Sequence, residues 1–226
     1  MAAEMVAEMA EKGALIVFEG LDRSGKSTHC SLLVDRLREA KHKVEHMRFP
    51  NRSTPIGQMI NSYLTGGTQT EDHVIHLLFS ANRWESAAEI TRLLEAGTTV
   101  VIDRYYYSGC VYTAAKHIPG MDLAWCRQPE VGLPRPDVCL FLEVSAEVAE
   151  QRGGYGRERY EKREMQERVR DLFEEMRQHP DEAADMVRID ASKTAEEVQE
   201  EIWKMVQRRI RESTKARTPL RKVQAW

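Results

Sequence analysis

The sequence predicts an α/β fold: a five-stranded parallel sheet with helices on both faces. Three observations carry this reading. Apolar runs rich in Val, Ile and Phe occur at 14–18, 98–102 and 138–144, the pattern of strands buried on both faces. Two further β-like runs lie at 44–48 and 186–189. Stretches of helical periodicity separate them, and strands alternating with helices build doubly wound sheets. The 226 residues carry 33 Lys plus Arg against 36 Asp plus Glu, so no global basic field marks the chain for nucleic acid.

Each element has its own signal. The first strand, Ala14-Leu-Ile-Val-Phe18, runs into a glycine-rich turn. The helix at 27–40 places Leu32, Leu33 and Leu37 at helical spacing. The strand at 44–48 alternates, which keeps His42 and His46 off a common helix face despite their spacing. The helix at 72–96 carries Ile75, Phe79, Ile90 and Leu94. The segment 150–177 is dense in charge of both signs behind Gly153, Gly154 and Gly156, and reads as a solvated helix after a flexible turn. The last helix, 194–211, opens on the capping box Thr194-Ala-Glu-Glu197 and lines up Val198, Ile202, Met205, Val206 and Ile210.

The ends and the cysteines bound the setting. The N-terminal Met1-Ala-Ala-Glu-Met stretch is acidic and lacks the basic and apolar regions of a secretory signal. No apolar run approaches the roughly 20 residues that span a bilayer, so no membrane partner is expected. Cys30, Cys110, Cys126 and Cys139 form no CxxC pair and share no metal-ligand spacing with histidine, which reads as buried reduced thiols. The expected compartment is the cytoplasm. The basic tail, with Lys215, Arg217, Arg221 and Lys222, reads as a loosely held end, or as a nuclear-import signal that adds the nucleus.

The strongest functional signal is Gly20-Leu-Asp-Arg-Ser-Gly25-Lys26-Ser27-Thr28. It matches GxxxxGK[ST] in full, follows a strand and opens a helix, as a P-loop does. Glycines let the backbone N–H groups turn toward phosphate oxygens, and the helix N-terminus adds positive potential. Lys26 would reach the β- and γ-phosphates, and the Ser27 hydroxyl would ligate Mg²⁺. The fold is therefore a P-loop NTPase three-layer α/β/α arrangement. No guanine-reading NKxD motif and no motor module is present. Asp22 within the loop would repel phosphate and suits a sugar hydroxyl, while Arg23 could bridge two phosphate groups.

A second site should sit across the same crevice. Asp103 ends the third strand, at the edge where open sheets bind ligands, and there it could hold a Mg²⁺-bound water. Arg104 suits a phosphate fork, although Asp103-Arg104-Tyr105 also reads as a helix cap with a surface ion pair. The strand at 44–48 leads to Phe49-Pro50-Asn51-Arg52 at the same edge. Phe79 and Arg83 share a helix face and could stack on a base and read its edge; taken singly, Phe79 also reads as core and Arg83 as solvated.

Together GLDRSGKST, FPNRS, LLFSANRWE, VVIDRYYYSG and RGGYGRERYE with Gln166 resemble the thymidylate kinases of the eukaryotic type, over nearly the whole chain. The resemblance implies transfer of the γ-phosphoryl group of ATP to dTMP, giving dTDP and ADP for dTTP biosynthesis. It implies a nucleoside monophosphate kinase domain with a short helical lid at about 150–164; the chain is read as that single domain over 1–226, with flexible ends at 1–12 and 213–226. Gly20, Ser24, Gly25, Lys26, Ser27 and Thr28 would hold ATP, with Arg152 stacking on adenine and Lys193 on the same side. Phe79 would stack on thymine and Arg83 bond its carbonyl; Asp22 would bind the 3′-hydroxyl, and Tyr112 would crowd the 2′ position. Phe49, Ser108, Tyr160 and Gln166 would line the acceptor side, and Arg52 and Arg104 would clamp its phosphate. Arg23, Lys26, Arg52 and Arg104 would be catalytic, with Ser27 and Asp103 on Mg²⁺. Arg157 and Arg159 in the lid leave open a shared role with Arg23. A homodimer built on the 72–96 helix and the helix after Tyr105 is also implied. The remaining alternatives are a kinase for another nucleoside monophosphate or a deoxynucleoside, and a non-catalytic ATP-binding protein.

Overall fold

A computed structural model describes residues 12–144, 159–160, 163–215 and 219–226. Five parallel strands make the sheet: β1 (Leu15–Gly20), β2 (Val44–Arg48), β3 (Thr99–Asp103), β4 (Val138–Glu143) and β5 (Met186–Asp190). Their order is β2-β3-β1-β4-β5. The described helices are α1 (Lys26–Glu39), α2 (Pro55–Leu64), α3 (Asp72–Glu95), α4 (Tyr106–Ala114), α5 (Leu123–Arg127), α6 (Arg163–Gln178), α7 (Pro180–Ala183) and α8 (Ala195–Lys215). Among these residues no helix is long and apolar enough to cross a membrane.

The period of two along β1 divides the core. Leu15 and Val17 face a layer containing Ile90 of α3, Cys110 of α4 and Phe173 of α6. Ile16 and Phe18 face Leu33 and Leu37 of α1 and Val198 and Ile202 of α8. The register sets Ile16 opposite Val101 and Phe18 opposite Asp103, so β1 and β3 end side by side at one sheet edge. Glu19, next in the Leu15–Val17 series, places a carboxyl in a buried layer; burial raises its pKa.

Helix ends follow local chemistry. Thr54 caps α2 by accepting from Gly57 N–H at 3.0 Å, and Glu71 caps α3 by accepting from the N–H groups of His73 and Val74. The Thr194–Glu197 capping box forms as expected, each side chain accepting from the other's N–H. The α4 cap comes from a distant strand: Glu19 accepts from Tyr105 N–H at 2.8 Å and from Ser108 N–H at 3.0 Å.

Two expectations are corrected. The charge-dense segment is more than a solvated helix: α6 buries Met165, Val169, Phe173 and Met176, spaced by three and four residues. The C-terminal end is not loose over 219–226. Val223 is fully buried, and Trp226 stacks on His179 at 4.1 Å. Exposed polar composition suggested a free end, but Arg221, Val223 and Trp226 find partners across the chain. Of the lid expected at 150–164, only residues 159–160 and 163–164 are described. The expected flexible end 1–12 lies outside the description save for Lys12.

Candidate active site

The cradle forms between β1 and α1. Gly20 has φ of 142° and Gly25 of 87°. A Cβ at Gly20 would stand 2.2 Å from the Leu142 carbonyl oxygen, so no side chain fits. Arg23 sits in the left-handed region at φ 66°. Ser24 is buried; Ser27 and Thr28 open α1 at the surface. Lys26 is buried and donates to the Leu21 carbonyl. Burial, with Arg104 nearby, lowers its pKa to about 7 despite the carboxylates of Asp22 and Asp103.

The ends of β1 and β3 bring Ser27 and Asp103 together, the hydroxyl donating to Asp103 Oδ2 at 2.5 Å. The other carboxylate oxygen, Oδ1, is buried with no hydrogen-bond partner. Arg104 follows with φ 66°. It donates to Ser108 Oγ at 3.1 Å, ion-pairs with Asp22 and lies over the Tyr112 ring. Burial favours the neutral form of Asp22, but Arg104 and then Lys26 hold its carboxyl below the usual range. Gln166 completes the set, donating to Asp22 Oδ2 and to the Tyr160 carbonyl at 2.9 Å each.

A cavity of about 280 Å³ opens beside this network. Asp22, Phe49, Arg52, Phe79, Arg83, Arg104, Ser108, Tyr112 and Tyr160 all line it. They reach it from the cradle loop, the turn after β2, α3, α4 and the 159–160 segment. The turn is fixed by Asn82 of α3, whose side chain accepts from Asn51 N–H and donates to the Asn51 carbonyl. Arg52 donates to Asn61 Oδ1 of α2 at 2.8 Å. Phe79 is half-buried, so it serves both a small apolar cluster with Tyr63 and Ile75 and the cavity wall.

Arg83 is not solvated, as its sequence position alone suggested. It is buried and makes two parallel bonds to Glu130, with Nε to Oε2 at 2.8 Å. Arg159 is held over the Tyr63 ring and donates to the carbonyls of Tyr63 and Thr68, at the end of α2 and just past it. Lys193 is exposed and pairs with Glu201 at 2.9 Å; it does not line the cavity. Arg152 and Arg157 lie outside the described residues. The four cysteines are free and buried, and burial raises every thiol pKa, Cys126 to about 12.

Sequence reasoning missed Glu19, Asn82, Gly109 and Glu130. Asn82 and Gly109 lie within the quoted segments LLFSANRWE and VVIDRYYYSG, but nothing in the spacing there advertises their partners, and Glu19 and Glu130 lie in no quoted segment. Glu130 lies 47 positions from Arg83, and Glu19 lies 89 from Ser108. The only local signal was a carboxyl within an apolar strand, at Glu19.

A glycine-lined phosphate cradle at one sheet edge, with an arginine-bearing cavity alongside, marks the class of P-loop phosphotransferases. Comparison with known proteins narrows the class. The family model described as "Thymidylate kinase" matches residues 18–202. The chain is 46% identical to the thymidylate kinase of Homo sapiens, covering 91% of this chain and 95% of the human one. It is 49% identical to that of Danio rerio over 84% and 88% of the two chains. The solved thymidylate kinase from Candida albicans superposes with a TM-score of 0.83 at 36% identity, over 94% of this chain and 99% of that one. The chain belongs to the thymidylate kinase family.

Proposed function

We propose that this chain transfers the γ-phosphoryl group of ATP to the 5′-phosphate of dTMP, giving dTDP and ADP. One observation carries the assignment of the two sites: Asp22 belongs to the cradle loop and also lines the cavity, where it meets Arg104. Donor and acceptor phosphates bound in the two sites would face each other across that pair. Both phosphates are anionic, so their approach is repulsive until cations offset it. Lys26, Arg23, Arg52 and Arg104 supply that charge from fixed positions. The transition state places charge on the equatorial oxygens, so positioning and electrostatics carry the catalysis. The acceptor phosphate is already an oxyanion near neutral pH, and no general base is assigned.

The acceptor reading places Phe79 against the base, Arg83 at its carbonyl, Asp22 at the sugar 3′-hydroxyl and Tyr112 at the 2′ side. Ser108 steadies Arg104, and Gln166 steadies Asp22. The Ser27 hydroxyl and Asp103 carboxylate suit Mg²⁺: they are hard oxygen donors, and Asp103 Oδ1 has an unmet bond in a buried setting. Bound there, Mg²⁺ supplies further neutralisation of phosphate charge. We also propose a homodimer through α3, whose exposed Val74, Leu77 and Trp84 form one stripe with Ala81.

The deciding experiment is ADP release from ATP and Mg²⁺ over a panel of nucleoside monophosphates. The expected result is turnover with dTMP well above that with dCMP, dAMP or dGMP; a stronger response to another acceptor overturns the assignment. Phe79→Ala should weaken dTMP binding about tenfold or more, the loss of one base stack, with ATP binding unchanged by calorimetry.

A further inference from the structure

The base end of the cavity is built on an ion pair that closes through the C-terminal segment. Glu130 is fully buried and takes both Nε and Nη2 of Arg83. On the other side of the guanidinium stands α4: a Cβ on Gly109 would lie 2.6 Å from Arg83 Nη2. The guanidinium is thus clamped between a carboxylate and a backbone, at a point where Arg83 lines the cavity.

Glu130 itself sits on a 3-10 turn, Gln128–Glu130, that two elements pin. From α3, Ser80 Oγ and Trp84 Nε1 donate to the Pro129 carbonyl at 3.0 and 2.7 Å. From the C-terminus, Val223 accepts from Gly132 N–H and donates to the Leu133 carbonyl, both at 2.9 Å. Lys222 bridges Pro134, and Arg135 N–H donates to the Arg221 carbonyl. Arg127, just before the turn, donates to the Gln224 carbonyl at 2.7 Å and lies 4.8 Å under the Trp226 ring. The last six residues therefore grip both ends of the turn that carries Glu130.

We propose that Glu130, set by the C-terminal segment 221–226, is the positioning residue that fixes Arg83 to select an acceptor base by its carbonyl. This rests on the reading of the cavity as the dTMP site. A guanidinium can only donate, so a base offering a carbonyl at that edge is accepted and one offering an amino group is opposed. Without Glu130 the arginine can swing or withdraw, and the preference weakens.

The test is the separate measurement of KM and kcat for dTMP and ATP, with the kcat/KM ratio of dTMP over dCMP. Glu130→Gln should raise the dTMP KM about tenfold and lower that ratio similarly, the effect of one charge-assisted bond, with the ATP KM moved less than about twofold. Removal of 221–226 should act in the same direction, and add little in the Glu130→Gln background because the two act through one contact. If the truncated chain fails to fold by circular dichroism, Val223→Ala replaces it. A merely structural role lowers melting temperature and active fraction but leaves the dTMP KM in place, and that result overturns the proposal. Arg83→Ala separates the two readings. If it raises the dTMP KM while Glu130→Gln and the tail variants do not, this inference fails alone. If Arg83→Ala changes nothing, the cavity assignment fails and takes the inference with it.

Discussion

Lys26 shows how burial sets the state of a single group before any ligand arrives. Its ammonium lies among Arg104, Asp22 and Asp103, and burial brings its pKa to about 7. Phosphate oxygens beside it would favour the charged form, so binding a nucleoside triphosphate at pH 8 should take up close to one proton. Calorimetry in two buffers of different ionisation enthalpy reads that uptake, and affinity should fall as pH climbs from 7 toward 10. Binding without proton uptake contradicts the contact. The stability sign is opposite: the unfolded lysine keeps its proton to about 10.4 and the folded one to about 7, so between these values its contribution to stability rises with pH. Arg23, in the left-handed region at the loop apex, should be needed for rate: Arg23→Ala is expected to lower turnover at least about a hundredfold, as for the loss of one preorganised charge. Near-normal turnover would remove it from the mechanism. Lys26 and Arg23 were legible because a contiguous motif carries its own context. Glu130 was not, since an isolated carboxylate after a proline gives no hint of an arginine on another helix.

Among the elements, α3 is the organiser. It presents Phe79 and Arg83 to the cavity, holds the turn after β2 through Asn82, and bolts α4 and α5 through His76. His76 Nε2 donates to the Cys126 carbonyl at 2.8 Å, and in the neutral ring Nδ1 then accepts from the Thr113 hydroxyl at 2.9 Å. Burial, and then the charge of Arg83, lowers its pKa to about 4. Below about pH 6.5 the unfolded chain gains a proton that the folded ring refuses, so stability falls as pH drops through that window. At pH 5 the loss from this group is about 2 kcal/mol. Urea unfolding at pH 5 and 7 should show it, and His76→Gln should flatten the difference; an equal pH dependence in the variant rejects the link. The helices α2, α5 and α7 were the least legible elements. Aromatic and charged residues dominate α4 and α6, and their apolar faces appear only once the sheet supplies the surface they cover.

For the whole molecule, the exposed stripe of α3 sets the question of assembly. Val74, Leu77 and Trp84 stay in contact with water while the same helix buries Ile75, Ile90 and Leu94 on its other side. A second copy packed there would cover the stripe. Sedimentation should give twice 26.0 kDa for the native chain, and Leu77→Glu should shift it to 26.0 kDa. A native monomer at micromolar concentration counts against the dimer. The sequence by itself determined the strand–helix alternation, the phosphate cradle and the acid ending β3, because each is written in neighbouring residues whose spacing matches a strand, a helix or a turn. Only the tertiary structure decided that Arg83 is held by Glu130, that Glu19 caps a helix far along the chain, and that the last residues close over the core. Those contacts join positions separated by tens of residues or more, and their partners are chosen by the packing of the sheet and its two helical layers.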